Sequence, residues 1–173
     1  MAVTTTTYST DTAVTATNWD AVAANDWATL PIITNTAGYM DILIGGQVDI
    51  AGTSWAAGES FDIYVSAYYD IGLTTSGGGG IDTAFTANDA TIAADVEFNP
   101  LNLTLIASVV VEATAPTTSQ GYNWNPVGLA QFFGGVLPYE VFLVGHCNST
   151  SGVTTSATST NAVNYVGITY TSA

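Results

Sequence analysis

His146 and Cys147 are the one histidine and the one cysteine of this 173-residue chain, and they are adjacent. A Cys–His nucleophile needs its two side chains in contact. These two close an apolar run, residues 139–145, with the character of a strand. Neighbours on a strand point to opposite faces, so a strand that reaches them keeps them apart. Both are therefore expected to be structural. Zinc needs several His or Cys ligands, which one copy of each cannot supply. Three His146 side chains meeting on an oligomer axis would be the exception.

Carboxylates are the other source of chemistry. Asp95 and Glu97 are two apart and would share a strand face, as would Asp62 and Asp70 with Tyr64 and Tyr68. Two carboxylates across a sugar can cleave a glycosidic bond, and Trp19, Trp27, Trp55 and Trp124 offer rings for a sugar to stack on. With 14 Asp+Glu, such pairs arise by chance. The plainer reading is that carboxylates are the chain's charged solubilisers, so no catalytic residue is assigned. Asp82, Asp89 and Asp95, with Asn88, are the oxygen donors Ca2+ would take, although no EF-hand spacing is present. No other cofactor is expected. Gly77 to Gly80 form no P-loop, because the lysine it requires is missing. Asn148-Ser149-Thr150 matches a glycosylation acceptor, a match common by chance.

Lysine and arginine are absent altogether, where an average chain of this length carries on the order of 20. The formal charge is −14. Nucleic-acid binding draws its affinity from cations that displace phosphate counterions, so none is expected. Anionic lipid is disfavoured for the same reason, and no run approaches the ~20 apolar residues of a membrane span. A single cysteine excludes an intrachain disulfide. The start, Met1-Ala2-Val3-Thr4, lacks the basic and apolar regions of a signal peptide, so export is not expected. Hydrophobic residues make up 47% and charged residues 8%, the reverse of a disordered composition. A mean hydropathy of +0.33 is high for a lone domain and predicts apolar surface buried against another subunit.

The elements that must position these residues are strands. In residues 60–70, Phe61, Ile63, Val65, Ala67 and Tyr69 alternate with polar neighbours, the period of a half-buried strand. Leu101, Leu103, Leu105, Ala107, Val109 and Val111 repeat the pattern, with Ile106 and Val110 breaking the polar face. Residues 139–145 and 162–170 are further strands, rich in β-branched and aromatic residues. Residues 39–44 and 47–50 flank Gly45-Gly46, the signature of a bulge in one long strand. Residues 30–36 and 90–98 are weaker strand candidates. Residues 1–17 form an N-terminal arm or edge strand, and residues 18–173 one β-sandwich domain. Residues 74–80 and 149–159 are polar low-complexity loops. Pro126 and Gly134-Gly135 bracket one short helix at 127–133, and residues 20–28 are a second candidate helical turn. The expectation is an all-β jelly roll or β-sandwich of about eight antiparallel strands with one short helix.

From Gly121 onward the order of features is Tyr122-Asn123-Trp124-Asn125-Pro126, the 127–133 segment, Gly134-Gly135-Val136-Leu137-Pro138, an apolar strand, a Ser/Thr loop, and a last strand ending Tyr165-Val166-Gly167-Ile168-Thr169-Tyr170. This resembles the jelly-roll head-decoration, or cement, proteins of tailed bacteriophages. The resemblance implies a homotrimer on the outer surface of a capsid, bound to the major capsid protein and performing no reaction. A carbohydrate- or receptor-binding tail module using the tryptophans is the alternative, and a glycosidase is a third.

Overall fold

A computed structural model of the chain describes residues 4–20, 22–50, 55–68, 103–111, 120–150 and 161–172. Within them, ten strands make two antiparallel five-stranded sheets. They are β1 (Thr4–Tyr8), β2 (Thr12–Val14), β3 (Trp27–Thr29), β4 (Ile33–Thr34), β5 (Asp41–Ile50), β6 (Ser60–Tyr68), β7 (Thr104–Val110), β8 (Gln120–Gly128), β9 (Glu140–Asn148) and β10 (Ala162–Ser172). The first sheet runs β1-β10-β5-β8, with β2 also on β10. The second runs β3-β9-β6-β7, with β4 also on β9.

Counting β1 with β2 and β3 with β4, each pair being two pieces laid on one partner, reduces ten strands to eight. Their order is then 1-8-3-6 in one sheet and 2-7-4-5 in the other. The pairs 1–8, 2–7, 3–6 and 4–5 are the rungs of one long antiparallel ribbon. Rolling that ribbon adds the pairings 8–3 and 7–4, seen as β10–β5 and β9–β6. This is the connectivity of a jelly roll.

The core lies between the sheets. β5 contributes Ile42, Ile44, Val48 and Ile50, and β6 contributes Phe61, Ile63 and Val65. β9 adds Val141, Leu143 and Cys147. Each set is spaced by the period of two that puts alternate side chains on one face. Each such Ile, Leu or Phe side chain contributes about 1.5–3 kcal/mol when fully buried. Trp19 is wholly buried and meets the Phe61 ring edge-on at 5.3 Å, while its Nε1 donates to the Ala28 carbonyl at 3.1 Å. Gly145 makes room for this pair: a Cβ there would collide with the Phe61 ring and with Trp19 Nε1.

Two bulges interrupt the ladders. Ile44 pairs with Val127 and Gly46 with Trp124, so Gly45 faces two residues, Asn125 and Pro126. The β5–β10 register continues unbroken past Gly45 and Gly46. The irregularity expected at the glycine pair is there, but the extra residue belongs to β8. Proline has no N–H to give a ladder, which suits it to a bulge at a sheet edge. Gly45 lets it lean in, since a Cβ there would sit 3.0 Å from Pro126. In β7, Ala107 pairs with Ile63 and Leu105 with Tyr64, leaving Ile106 as the extra residue. The single apolar face expected for this strand is thereby split. Val109 and Val111 are buried, Leu105 turns outward and is exposed, and Ile106 packs on the core.

The expected helices are corrected. Residues 127 and 128 continue β8, and one 3-10 turn, Ala130–Phe133, follows Leu129. Pro126 is a bulge residue, not a helix start. The stop does fall where expected, with Gly134 and Gly135 both at positive φ. Among the described residues of 20–28 there is no helical turn either. The chain turns at Ala24-Asn25, where Asn25 takes φ 61°, and enters β3. A short 3-10 turn lies just before, at Thr17–Trp19. Of residues 30–36, only Ile33–Thr34 are strand. Residues 90–98 and 74–80 lie outside the described residues. The first 17 residues contribute β1 and β2, both paired to β10.

Candidate functional site

β9 runs through His146 and Cys147, so the two side chains part to opposite faces. Cys147 is fully buried in the core, and burial pushes its thiol up to about 12. A thiol held protonated in this way is not a nucleophile. His146 lies on the outer face of the second sheet. There the register aligns four residues on four strands, with Trp27 beside His146, His146 beside Asp62 and Asp62 beside Ser108. Trp27 stacks on the imidazole, ring centroids 4.0 Å apart, and Tyr64 tilts against Trp27 at 5.4 Å. Ser108 Oγ donates to Asp62 Oδ1 at 2.5 Å.

Serine, aspartate and histidine stand in one row, but in the wrong order for acyl transfer. A nucleophilic triad needs His between Ser and Asp, so that the imidazole takes the hydroxyl proton. Here Asp62 stands between them and takes the Ser108 hydrogen bond itself. Burial lowers the His146 pKa below its ordinary value, although the Asp62 charge, a hydrogen bond to the Asn25 backbone and the Asp26 charge pull the other way. Burial also raises the Tyr64 pKa, and the neighbouring Asp62 adds to it. The row packs a neutral imidazole between an indole and a carboxylate and supplies no activated group.

Four other described carboxylates, those of Asp11, Asp20, Asp41 and Glu59, accept hydrogen bonds from neutral donors. Glu59 accepts from the Ala56 N–H at 2.8 Å, Ser149 Oγ at 2.9 Å, and both the N–H and Oγ1 of Thr150 at 2.8 Å. The backbone bonds from Thr150 and Ala56 are the main reason its pKa falls to about 2. Asp41 accepts from the Ala130 N–H at 2.8 Å and so caps the 3-10 turn. Asp20 accepts from Asn161 Nδ2 at 2.6 Å, and Asn161 Oδ1 accepts from the Asp49 N–H at 2.9 Å. Amides, hydroxyls and backbone N–H groups do here what lysine and arginine do elsewhere.

Among the described residues no group of three or more His, Cys, Asp or Glu could hold a metal. Asp82, Asp89 and Asp95, with Asn88, lie outside the described residues, as do Glu97 and Asp70. Of the four tryptophans expected to offer sugar platforms, Trp19, Trp55 and Trp124 are buried in the core, and only Trp27 is half-exposed. Their rings fill the sandwich, which is where large apolar side chains gain most.

Sequence reading missed a concavity among the described residues. A shallow groove of ≈ 760 Å³ lies on the outer face of the first sheet, lined among others by Tyr8, Asp11, Gln47, Asn123, Asn125 and Asn164. Alternation along β5 places Leu43, Gly45 and Gln47 outward, opposite to Ile42, Ile44 and Val48. Asn164 pairs with Gly45, and Gln47 pairs with both Ala162 and Asn123. Gly45, buried against Pro126, lies between amide-bearing neighbours. The signal was present as a polar face rich in Asn and Gln, yet only pairing shows that these faces adjoin. No protein-family model matches the chain, and no curated protein or solved structure is detectably similar to it.

Proposed function

We propose that this chain is a non-catalytic structural subunit of a virion surface, a homotrimeric decoration protein on the outside of a bacteriophage head. The observation that carries the subunit reading is an apolar end of the sandwich. Met40, Val136 and Tyr139 expose 57%, 72% and 64% of their surface. They sit on neighbouring segments, joined where the Asn35 N–H donates to the Tyr139 carbonyl at 2.7 Å. Exposed apolar groups gathered in one place mark a contact surface. The jelly-roll connectivity agrees with the family that the C-terminal third resembles. The lack of cations suits a subunit that must not grip a packaged genome, and contacts to the major capsid protein are then apolar and hydrogen-bonded. No helix among the described residues is long and apolar enough to cross a membrane.

Light scattering coupled to gel filtration tests the oligomer, and cryo-EM of the particle tests its place. A trimer mass and density on the capsid surface are expected. The double variant Met40→Asp, Val136→Asp should lower the mass to that of a monomer while the melting transition persists. A stable wild-type monomer, or density at the tail tip alone, would overturn the reading and favour a receptor-binding module.

A further inference from the structure

We infer that the groove on the outer face of the first sheet binds a neutral oligosaccharide through Gln47, Asn123, Asn125 and Asn164, with Tyr8 and Asp11 at its side. The inference goes beyond the decoration role and stands without it.

Size and shape come first. At ≈ 760 Å³ the groove falls within the roughly 300–1,000 Å³ typical of small-ligand clefts. Gly45 on its floor lies between Asn164 on one strand and the Asn125-Pro126 bulge on the other, with Pro126 packed against it. Asn125 is two residues after Asn123, so strand alternation puts both on the groove's face, and the bulge adds Pro126 beside them.

The chemistry of the lining then selects the ligand. Each carboxamide offers two donors and an acceptor oxygen, a match for sugar hydroxyls that both give and take. Asp11 accepts from Asn164 Nδ2 at 3.1 Å, which orients that amide and leaves carboxylate lone pairs for further hydroxyls. Leu43, Pro126 and Val166 supply apolar surface for the C–H faces of a pyranose, and the Tyr8 ring is 60% exposed beside them. The one ionised side chain of the lining is a carboxylate, and the chain has no lysine or arginine. Phosphate, sulfate and uronate are repelled, so the sugar is neutral.

A peptide strand fits less well. Strand addition needs a free sheet edge. The floor of the groove is β5, already hydrogen-bonded to β10 on one side and β8 on the other. Only side chains face the ligand. An apolar protein surface would bury the amides of Gln47, Asn123 and Asn125 without offering them partners, which is unfavourable.

The test is a heteronuclear NMR titration of the full chain with maltotriose, cellotriose, chitotriose and mannotriose, and with trigalacturonate as the anionic control. At about 1 mM sugar, the scale of a weak single site, at least one neutral trisaccharide should shift the amides of residues 43–47, 123–125 and 162–166. Trigalacturonate should shift none of them. Gln47→Ala and Asn164→Ala should each weaken the dissociation constant about tenfold, near the worth of one hydrogen bond, with the melting temperature kept. Absence of any shift, shifts confined to other residues, equal response to trigalacturonate, or unaltered affinity in both variants would overturn the inference. Protection of the same amides by self-association, without a sugar response, would overturn it in favour of a second copy of the chain. The oligomer mass and particle location are read separately, so failure here leaves the decoration reading to its own test.

Discussion

Trp124 Nε1 is buried and finds no acceptor among the described residues. A buried donor without a partner costs about 1–3 kcal/mol. Trp124→Phe removes that donor and keeps most of the ring, so its stability should equal or exceed that of the parent in urea titration. A loss above about 2 kcal/mol would show that ring volume governs the site instead. Gly145→Ala should act the other way. The added methyl enters the Trp19–Phe61 contact, and overpacking of this kind costs about 1–3 kcal/mol. Cys147→Ser should also destabilise by about 1–3 kcal/mol, because it places a hydroxyl in the core. None of these changes should remove a catalytic activity. Glu59 gives a pH signature. Its folded pKa, about 2, lies below the ordinary 4.5, so its contribution is complete above pH 4.5 and is lost as pH falls toward 2. Glu59→Gln should be less stable than the parent at pH 7, and the gap should close between pH 4.5 and 2. A gap independent of pH would show that the carboxylate charge plays no part.

At the scale of elements, strands β1 and β10 invite a test. Every residue of β1 is exposed, so the strand adds hydrogen bonds to β10 but no buried side chain. A chain lacking residues 1–9 should keep a cooperative melt a few degrees lower, in line with about 1 kcal/mol for a domain of this size. It should also self-associate through the bared edge of β10. Concentration-independent mass by light scattering would refute this. How much was legible follows from the same elements. The alternation of Phe61, Ile63, Val65 and Ala67 reported β6 directly, because a strand with one buried face writes its period into the sequence. The glycine pair marked the irregularity in the β5–β8 ladder, but which strand holds the extra residue depends on pairing. The β7 bulge at Ile106 left no glycine or proline behind, so the regular pattern misassigned Leu105. Proline before an apolar segment and glycine after it mimicked a helix at 127–133, although tertiary pairing drew residues 127 and 128 into β8. His146 and Cys147 were readable as a separated pair from strand parity alone. The groove was not readable, since it joins residues 8–11, 43–47, 123–126 and 162–166, far apart in the chain.

The whole molecule carries −14 and no side-chain cation save a protonated His146. Every long-range interaction between ionised side chains is therefore repulsive at neutral pH. The fold is held by apolar burial between the sheets and by neutral donors on carboxylates, as at Glu59, Asp41 and Asp20. Salt screens repulsion and here has no Lys or Arg ion pair to weaken. The Debye length falls from about 8 Å at 0.15 M to about 3 Å at 1 M, so the change is felt between neighbouring surface carboxylates. Self-repulsion works against compactness, and its removal should stabilise the folded state. The melting temperature should rise from low to high NaCl, and it should do so with a chelator present, which separates screening from a cation held by carboxylates such as Asp82, Asp89 and Asp95. Potassium chloride should act as sodium chloride does, since screening depends on ionic strength. A rise with Ca2+ alone, abolished by the chelator, would assign the effect to a bound ion. A midpoint that falls with NaCl would show that attraction rather than repulsion dominates the charge balance of the native state.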